Sequence, residues 1–223
     1  MCFTVSGRPV ADLNYAALWG AASEEEVEEL VGHLADLDSM VVVSDATSGR
    51  LAPQLKDAGL VLGGSCPLMT VTITAAAPEG GPYRIEPVRD EERLAMMDAA
   101  LADAYSLTLE DTSAAFGPGI LEEEGATPFL AVRDGVAHSA VIATRVGADV
   151  GIWAMGTPAR FQRRGAGRSL LEAIMSRFAV EGAERCFLFP SPAGRRLYDS
   201  LGFIEADRSE IWLKGSSTEF PDA

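Results

Sequence analysis

Gln162, Arg163, Arg164, Gly165, Ala166, Gly167, Arg168 and Ser169 stand together, with Arg160 just before them and the apolar helical run that begins at Leu170 just after. These residue types suit the binding of an anion. Guanidinium groups form forked hydrogen bonds to phosphate oxygens, and glycine lets an anion come close to the backbone. A helix starting near Gly165 would add open N–H groups and roughly half a positive charge from its dipole. The rest of the chain is acidic, with a formal net charge of -15, yet eight of its 18 basic residues fall between Arg160 and Arg196. One local cationic patch on an acidic protein points to a compact anion and away from nucleic acid, whose binding needs a broad basic face. The spacing lacks the third glycine of a dinucleotide fingerprint, and no triphosphate loop of the form G-x-x-x-x-G-K-[ST] is present.

Other chemistry is less well supported. Cys2, Cys66 and Cys186 are scattered and odd in number, with only His33 and His138 to join them, so neither a disulfide framework nor a metal site is expected. No apolar stretch is long enough to cross a membrane, and the start of the chain lacks the layout of a signal peptide, so a cytoplasmic protein is the expectation.

Residues 162–167 match the Q/R-x-x-G-x-G/A turn of the GNAT acyltransferase superfamily, and the preceding Met155, Gly156 and Thr157 resemble the V-x-T strand ending common there. Residues 195–203, R-R-L-Y-D-S-L-G-F, are similar to the family's A-x-x-L-Y-x-x-L-G-F junction. The resemblance covers roughly residues 83–214 and implies a GNAT fold, a mixed and largely antiparallel α/β sheet flanked by helices. It also implies acetyl-CoA as co-substrate. Met155 and Thr157 would pair their backbones with the pantetheine arm, and residues 162–169 would surround the diphosphate. Tyr198 would act as general acid on the departing thiolate while a primary amine attacks the thioester directly. Departures are Pro158, one place early, and Ser191 where many members carry asparagine. No general base stands out; Asp149, Glu122, Glu123, Glu124 and a water chain are the candidates.

The implied acceptor is a small-molecule or peptide amine, and a homodimer is consistent with family habit. A non-catalytic acyl-CoA-binding module is the alternative, and nucleotide binding by an unrelated α/β domain is a third reading.

Positioning these residues requires a frame of strands and helices. Residues 83–88 alternate like a strand, and 91–105 carry a helical apolar stripe. Residues 129–133 and 136–146 flank Asp134-Gly135, a two-residue hairpin signal. A strand at 150–155, a helix from about Gly165 to Val180, a strand at 186–189, a short helix around Arg195 to Ser200 and a last strand at 203–213 complete this part.

Earlier in the chain, Ser23 and Glu26 form a capping-box pattern before Val27, Leu30, Val31 and Leu34. Residues 39–44 read as a buried strand, 51–58 as a short helix ended by Gly59, and 68–73 as another strand. The prolines and glycines of residues 75–82 read as a domain boundary. Residues 1–80 then form an accessory segment, 83–214 the GNAT domain and 215–223 a frayed tail.

Laying residues 51–62 over 195–205 pairs Gly59 with Gly202, Leu60 with Phe203 and Leu55 with Tyr198. This suggests that the first segment is a degenerate half of a GNAT fold, with no diphosphate loop of its own. Its arrangement resembles an accessory segment found in some bacterial members of the family.

Overall fold

The computed structural model describes residues 2–5, 14–18, 23–34, 36–75 and 81–215. In chain order the elements are β1 (Cys2–Val5), β2 (Asn14–Leu18), α1 (Glu24–His33), β3 (Ser39–Ser44), α2 (Asp45–Asp57), β4 (Val61–Thr72) and β5 (Arg84–Pro87). There follow α3 (Glu91–Tyr105), α4 (Leu109–Phe116), β6 (Ala126–Arg133), β7 (Val136–Val146) and β8 (Asp149–Gly156). The last elements are α5 (Ala166–Val180), β9 (Arg185–Leu188), α6 (Arg195–Ser200) and β10 (Ile204–Lys214). Most of the sheet is antiparallel, so the mixed α/β class expected from the sequence is the class observed. No helix among the described residues is long and apolar enough to cross a membrane.

The chain divides into two compact units, Met1–Met69 with Phe189–Ala223, and Thr70–Leu188. Of the expected linker, residues 76–80 lie outside the described residues, as do 216–223 of the expected tail.

In the first unit the strands lie in the order β1-β2-β3-β10-β4. β2 runs parallel to β3, whereas β10 runs antiparallel to it with Trp212 opposite Val41. The last strand of the chain thus completes a sheet begun near its start. α1 forms because Ser23 Oγ accepts from the Glu26 N–H at 3.2 Å while the Glu26 carboxylate accepts from the Ser23 N–H at 2.7 Å. This is the capping box expected from the sequence. Its apolar stripe, Val27, Leu30 and Leu34, is buried with Leu51, Leu55 and Trp212 in one core. Each such side chain contributes roughly 1.5–3 kcal/mol relative to exposure.

α2 and β4 are longer than their local signals suggest. α2 starts at Asp45, although residues 45–50 are rich in Ser, Thr and Gly, and it retains Pro53 in its interior at the loss of one helical N–H. β4 begins at Val61 and continues through Gly63, Gly64 and Pro67, which read as turn residues by themselves. For α2, burial of Leu51 and Leu55 in the core overrides the weak propensity.

The second unit has the order β9-β8-β7-β6-β5, antiparallel except where β8 and β9 run parallel. The β6–β7 hairpin turns at Asp134 (φ 52°) and Gly135 (φ 76°), both left-handed as a primed two-residue turn requires. α3 buries Leu94, Met97, Ala100 and Leu101 in a core with Leu130, Val132, Ala140 and Ile142.

α4 carries Ser113, whose hydroxyl lies 2.6 Å from Asp98 Oδ2, while Oδ1 of that carboxyl is buried without a partner among the described residues. Burial pushes the pKa of Asp98 up, opposed in part by the Ser113 bond. The folded chain therefore holds this proton more tightly than the unfolded chain, and the stability lost to ionisation grows as pH rises above the ordinary carboxyl value of 3.8. Asp98→Asn is accordingly expected to raise the urea midpoint at neutral pH and to change it little near the ordinary carboxyl value. A lower midpoint at neutral pH would show instead that the ionised carboxylate is needed.

Candidate active site

The second unit builds a turn around the end of β8. Pairing with β7 is regular from Val146↔Asp149 to Ile142↔Trp153 and then shifts register, so that Ala140 faces Gly156. Ala154 takes φ 46° in this irregularity, as β-bulges often require near functional sites. Gly156 is packed so closely by α3 that an added Cβ would lie 2.9 Å from Leu101 and from Ala104. The strand end is held by three hydroxyls. Ser139 Oγ donates to the Gly156 carbonyl at 2.9 Å, Ser139 Oγ and Thr157 Oγ1 lie 2.9 Å apart, and the Tyr105 hydroxyl donates to the Met155 carbonyl at 3.0 Å.

After Pro158 a 3₁₀ turn covers Ala159–Phe161, closed by the Phe161 N–H on the Pro158 carbonyl at 2.8 Å. Gln162 Nε2 then reaches back to the Thr157 carbonyl at 3.2 Å, so this carboxamide fastens the loop to the strand end. Arg163 takes φ 61° and Gly165 φ 86°. Glycine adopts that region freely, whereas for arginine it costs roughly 1–2 kcal/mol, which the surrounding contacts must offset.

Gly165 is the N-cap of α5, so the helix begins at Ala166, one residue after the start expected for it. No side chain caps this end, and the first turn holds no acidic residue. Ser169 N–H makes the first helical bond, to the Gly165 carbonyl at 3.0 Å, so the amides before it point out of the helix end.

The arginines divide into two sets. Arg160 is paired with Asp103, and Arg168 Nη1 lies 3.2 Å from Glu172 Oε1 one helical turn away. Arg163 and Arg164 are exposed, and no carboxylate among the described residues pairs with either. Two uncompensated guanidinium groups, open amides and the positive end of a 15-residue helix therefore converge here. Met155, Gly156, Thr157, Gln162 and residues 163–169 all lie in one unit. Phe161 stacks on His138 with ring centroids 3.8 Å apart, and Tyr83 meets His138 edge-on at 5.4 Å. Burial first, then Arg133 and Arg164, lowers the pKa of His138.

Tyr198 and Ser191 belong to the other unit. Tyr198 lies on α6, is 8% exposed and meets Phe203 edge-on at 5.8 Å. Ser191 Oγ accepts from the Gly194 N–H at 3.2 Å and so shapes the turn that opens α6. Arg195 is paired with Asp199 and Glu205.

Among the candidate bases, Asp149 accepts two bonds from Arg185, at 2.7 and 3.0 Å, and this partner holds its carboxyl below the usual range. That makes it a weak proton acceptor. Glu122, Glu123 and Glu124 are exposed between the 3₁₀ turn at Pro118–Leu121 and β6. Burial pushes Cys66 up to about 11 and Cys186 up to about 12, which removes both as thiolate nucleophiles at neutral pH.

Sequence reasoning missed the contributions of Tyr83, Tyr105 and Ser139. Each makes its contact across at least 17 residues of chain, and no local pattern marks such a partner.

The acetyltransferase (GNAT) family model matches residues 88–203, just over half of the chain. A comparison with curated proteins finds no match. Among solved structures, a GCN5-related N-acetyltransferase from Kribbella flavida is similar at 18% identity and a TM-score of 0.65, covering 94% of this chain and 85% of that one. A GCN5-related N-acetyltransferase from Sphaerobacter thermophilus is similar at 16% identity and a TM-score of 0.58, with 86% and 64% covered. A GNAT-family acetyltransferase from Novosphingobium aromaticivorans is similar at 16% identity and a TM-score of 0.56, with 86% and 81% covered. These likenesses are of fold, and the likeness to the Kribbella protein takes in the N-terminal segment as well as the matched region. The bulged strand end and the open, cationic start of α5 lie inside the matched region, and the chain belongs to the GNAT acetyltransferase family, as an acyltransferase.

Proposed function

We propose that the chain is an N-acetyltransferase that binds acetyl-CoA with its diphosphate at the start of α5 and passes the acetyl group to a primary amine. The observation that carries this reading is the uncapped N-terminus of α5, where Gly165 takes φ 86° and Arg163 and Arg164 face no carboxylate among the described residues. Bound there, acetyl-CoA supplies an activated thioester carbonyl. The exposed guanidinium groups would neutralise the diphosphate, and the amides at the helix end would donate to its oxygens. In the family pattern Met155 and Thr157 lie beside the pantetheine arm, and the bulge at Ala154 supports that assignment by interrupting regular pairing there.

Tyr198 is the proposed general acid. A phenol can give a proton to the departing sulfur without competing as a nucleophile, and such a donor contributes roughly 10²- to 10⁴-fold. Ser191 would stand beside the pantetheine arm, with its oxygen already engaged by Gly194.

Residues 83–214 carry the transfer in this reading, and residues 1–80 are a degenerate half of the same fold. Both stretches run helix, strand, helix, strand, as α1-β3-α2-β4 and α5-β9-α6-β10. α2 ends with Gly59 at φ 84° and a Leu60 N–H bond to the Leu55 carbonyl; α6 ends with Gly202 at φ 84° and a Phe203 N–H bond to the Tyr198 carbonyl. The alignment of Leu55 with Tyr198 therefore joins residues in equivalent hydrogen bonds. α5 closes in a similar way at Gly182, so the succession of elements supports the repeat better than this turn alone. An acetyl-CoA site in the first copy is not part of the proposal, since leucine stands where the acid would be.

The test of cofactor is thermal unfolding with acetyl-CoA, NAD and ATP in parallel. At about a hundred times the dissociation constant, acetyl-CoA should add about 2.7 kcal/mol, or roughly 5–10 °C for a chain of this size. A shift with NAD or ATP and none with acetyl-CoA would overturn the reading. A shift with acetyl-CoA but no turnover of any amine would favour the non-catalytic binding module.

A further inference from the structure

We infer that Tyr83 and His138 are positioning residues for the loop before α5, Tyr83 through its bond to the Arg164 carbonyl and His138 through its stack under Phe161; the inference rests on the acetyl-CoA reading above. The Tyr83 hydroxyl donates to that carbonyl at 3.0 Å. The peptide joining Arg164 to Gly165 is planar and trans, so its carbonyl and its N–H point in opposite directions. Drawing the carbonyl towards Tyr83 turns the Gly165 N–H to the opposite side of the loop. Glycine can hold a peptide in either orientation, so the local chain leaves the choice open and the distant hydroxyl makes it. The orientation matters because this amide is the first of those at the helix end that an anion would meet.

The other end of the loop is fixed by stacking. Phe161, which immediately precedes Gln162, lies flat on His138 with an interplanar angle of 12°. The Arg160 guanidinium sits 4.7 Å from the centre of the same ring, and its charge is paired with Asp103. Tyr83 meets His138 at 60°, so one aromatic group touches both fastenings. His138 Nδ1 is buried without a hydrogen-bond partner among the described residues. The imidazole therefore serves here through its flat face. This platform holds the entry and the exit of the four residues Phe161 to Arg164, and Arg163 keeps its left-handed conformation between them.

The experiment compares equilibrium binding of acetyl-CoA with that of acetyl-pantetheine, which carries the thioester and lacks the diphosphate. Tyr83→Phe keeps the ring and removes the hydroxyl. Its acetyl-CoA Kd should rise on the order of fivefold to tenfold, the scale of one lost hydrogen bond, while the acetyl-pantetheine Kd stays at the wild-type value. His138→Ala should weaken acetyl-CoA in the same selective way, and His138→Phe, which restores a flat ring, should recover most of the loss. Unchanged acetyl-CoA binding in Tyr83→Phe, or equal weakening of both ligands, would overturn the inference. So would a His138→Phe protein as impaired as His138→Ala. If the wild type binds acetyl-pantetheine or amines but not acetyl-CoA, the diphosphate assignment itself fails and this inference fails with it. Wild-type acetyl-CoA binding with no effect of Tyr83→Phe sinks the inference alone.

Discussion

Tyr198→Phe is expected to lower kcat for acetyl transfer by roughly 10²- to 10⁴-fold while leaving the acetyl-CoA Kd within about twofold of wild type. The substitution is a narrow one. The ring of Tyr198 is buried against Phe203, and phenylalanine preserves that packing, so the change is confined to one hydroxyl. A proton donated to the leaving sulfur is needed only as the bond to carbon breaks, and a group that acts only in the transition state changes kcat without changing ground-state binding. The measurement is steady-state kinetics at saturating acetyl-CoA, with binding measured separately. A kcat within about twofold of wild type would reduce Tyr198 to a packing residue, as Leu55 is in its own core. The non-catalytic reading would then gain the most.

The second large effect is expected at Gly165. Gly165→Glu should abolish the acetyl-CoA-dependent rise in unfolding temperature, a loss of about 2.7 kcal/mol at a hundred times the wild-type Kd, with little change in the stability of the unliganded chain. An added Cβ at this residue meets nothing within 4 Å, so no steric clash is built in. Two other terms act instead. The φ of 86° is one that a side chain disfavours by roughly 1–2 kcal/mol, and a glutamate at the helix start is attracted to the same amides and dipole that would hold the diphosphate. The second term offsets much of the first in the free protein and competes directly with the ligand. Gly165→Ala separates them, since it adds the conformational term without the charge, and it should retain a reduced but measurable shift. Equal loss in both variants would show that backbone conformation dominates. A full shift in Gly165→Glu would place the diphosphate elsewhere.

What was legible in the sequence is the set of features whose cause is local. The capping box of Ser23 and Glu26, the Asp134-Gly135 turn, α3 at Glu91–Tyr105 and α6 at Arg195–Ser200 all follow from side chains a few positions apart. The start of α5 was legible to within one residue, because a glycine at Gly165 suits the left-handed N-cap from which the helix begins. Tertiary structure decided the rest. β10 pairs with β3 across more than 160 residues, so the end of the chain joins the unit formed by its beginning, and no periodicity in either strand names the other as its partner. β4 stays extended through Gly63, Gly64 and Pro67 despite local turn preference, and burial lengthens α2 through residues of weak helical propensity. The hydroxyls of Tyr105 and Ser139 reach backbone carbonyls at the end of β8, and that of Tyr83 reaches one just before α5, which only folding brings near. Spacing by itself determined which residues could hold an anion. The Arg164 carbonyl is held by the hydroxyl of distant Tyr83, because a peptide plane next to glycine has no strong preference of its own.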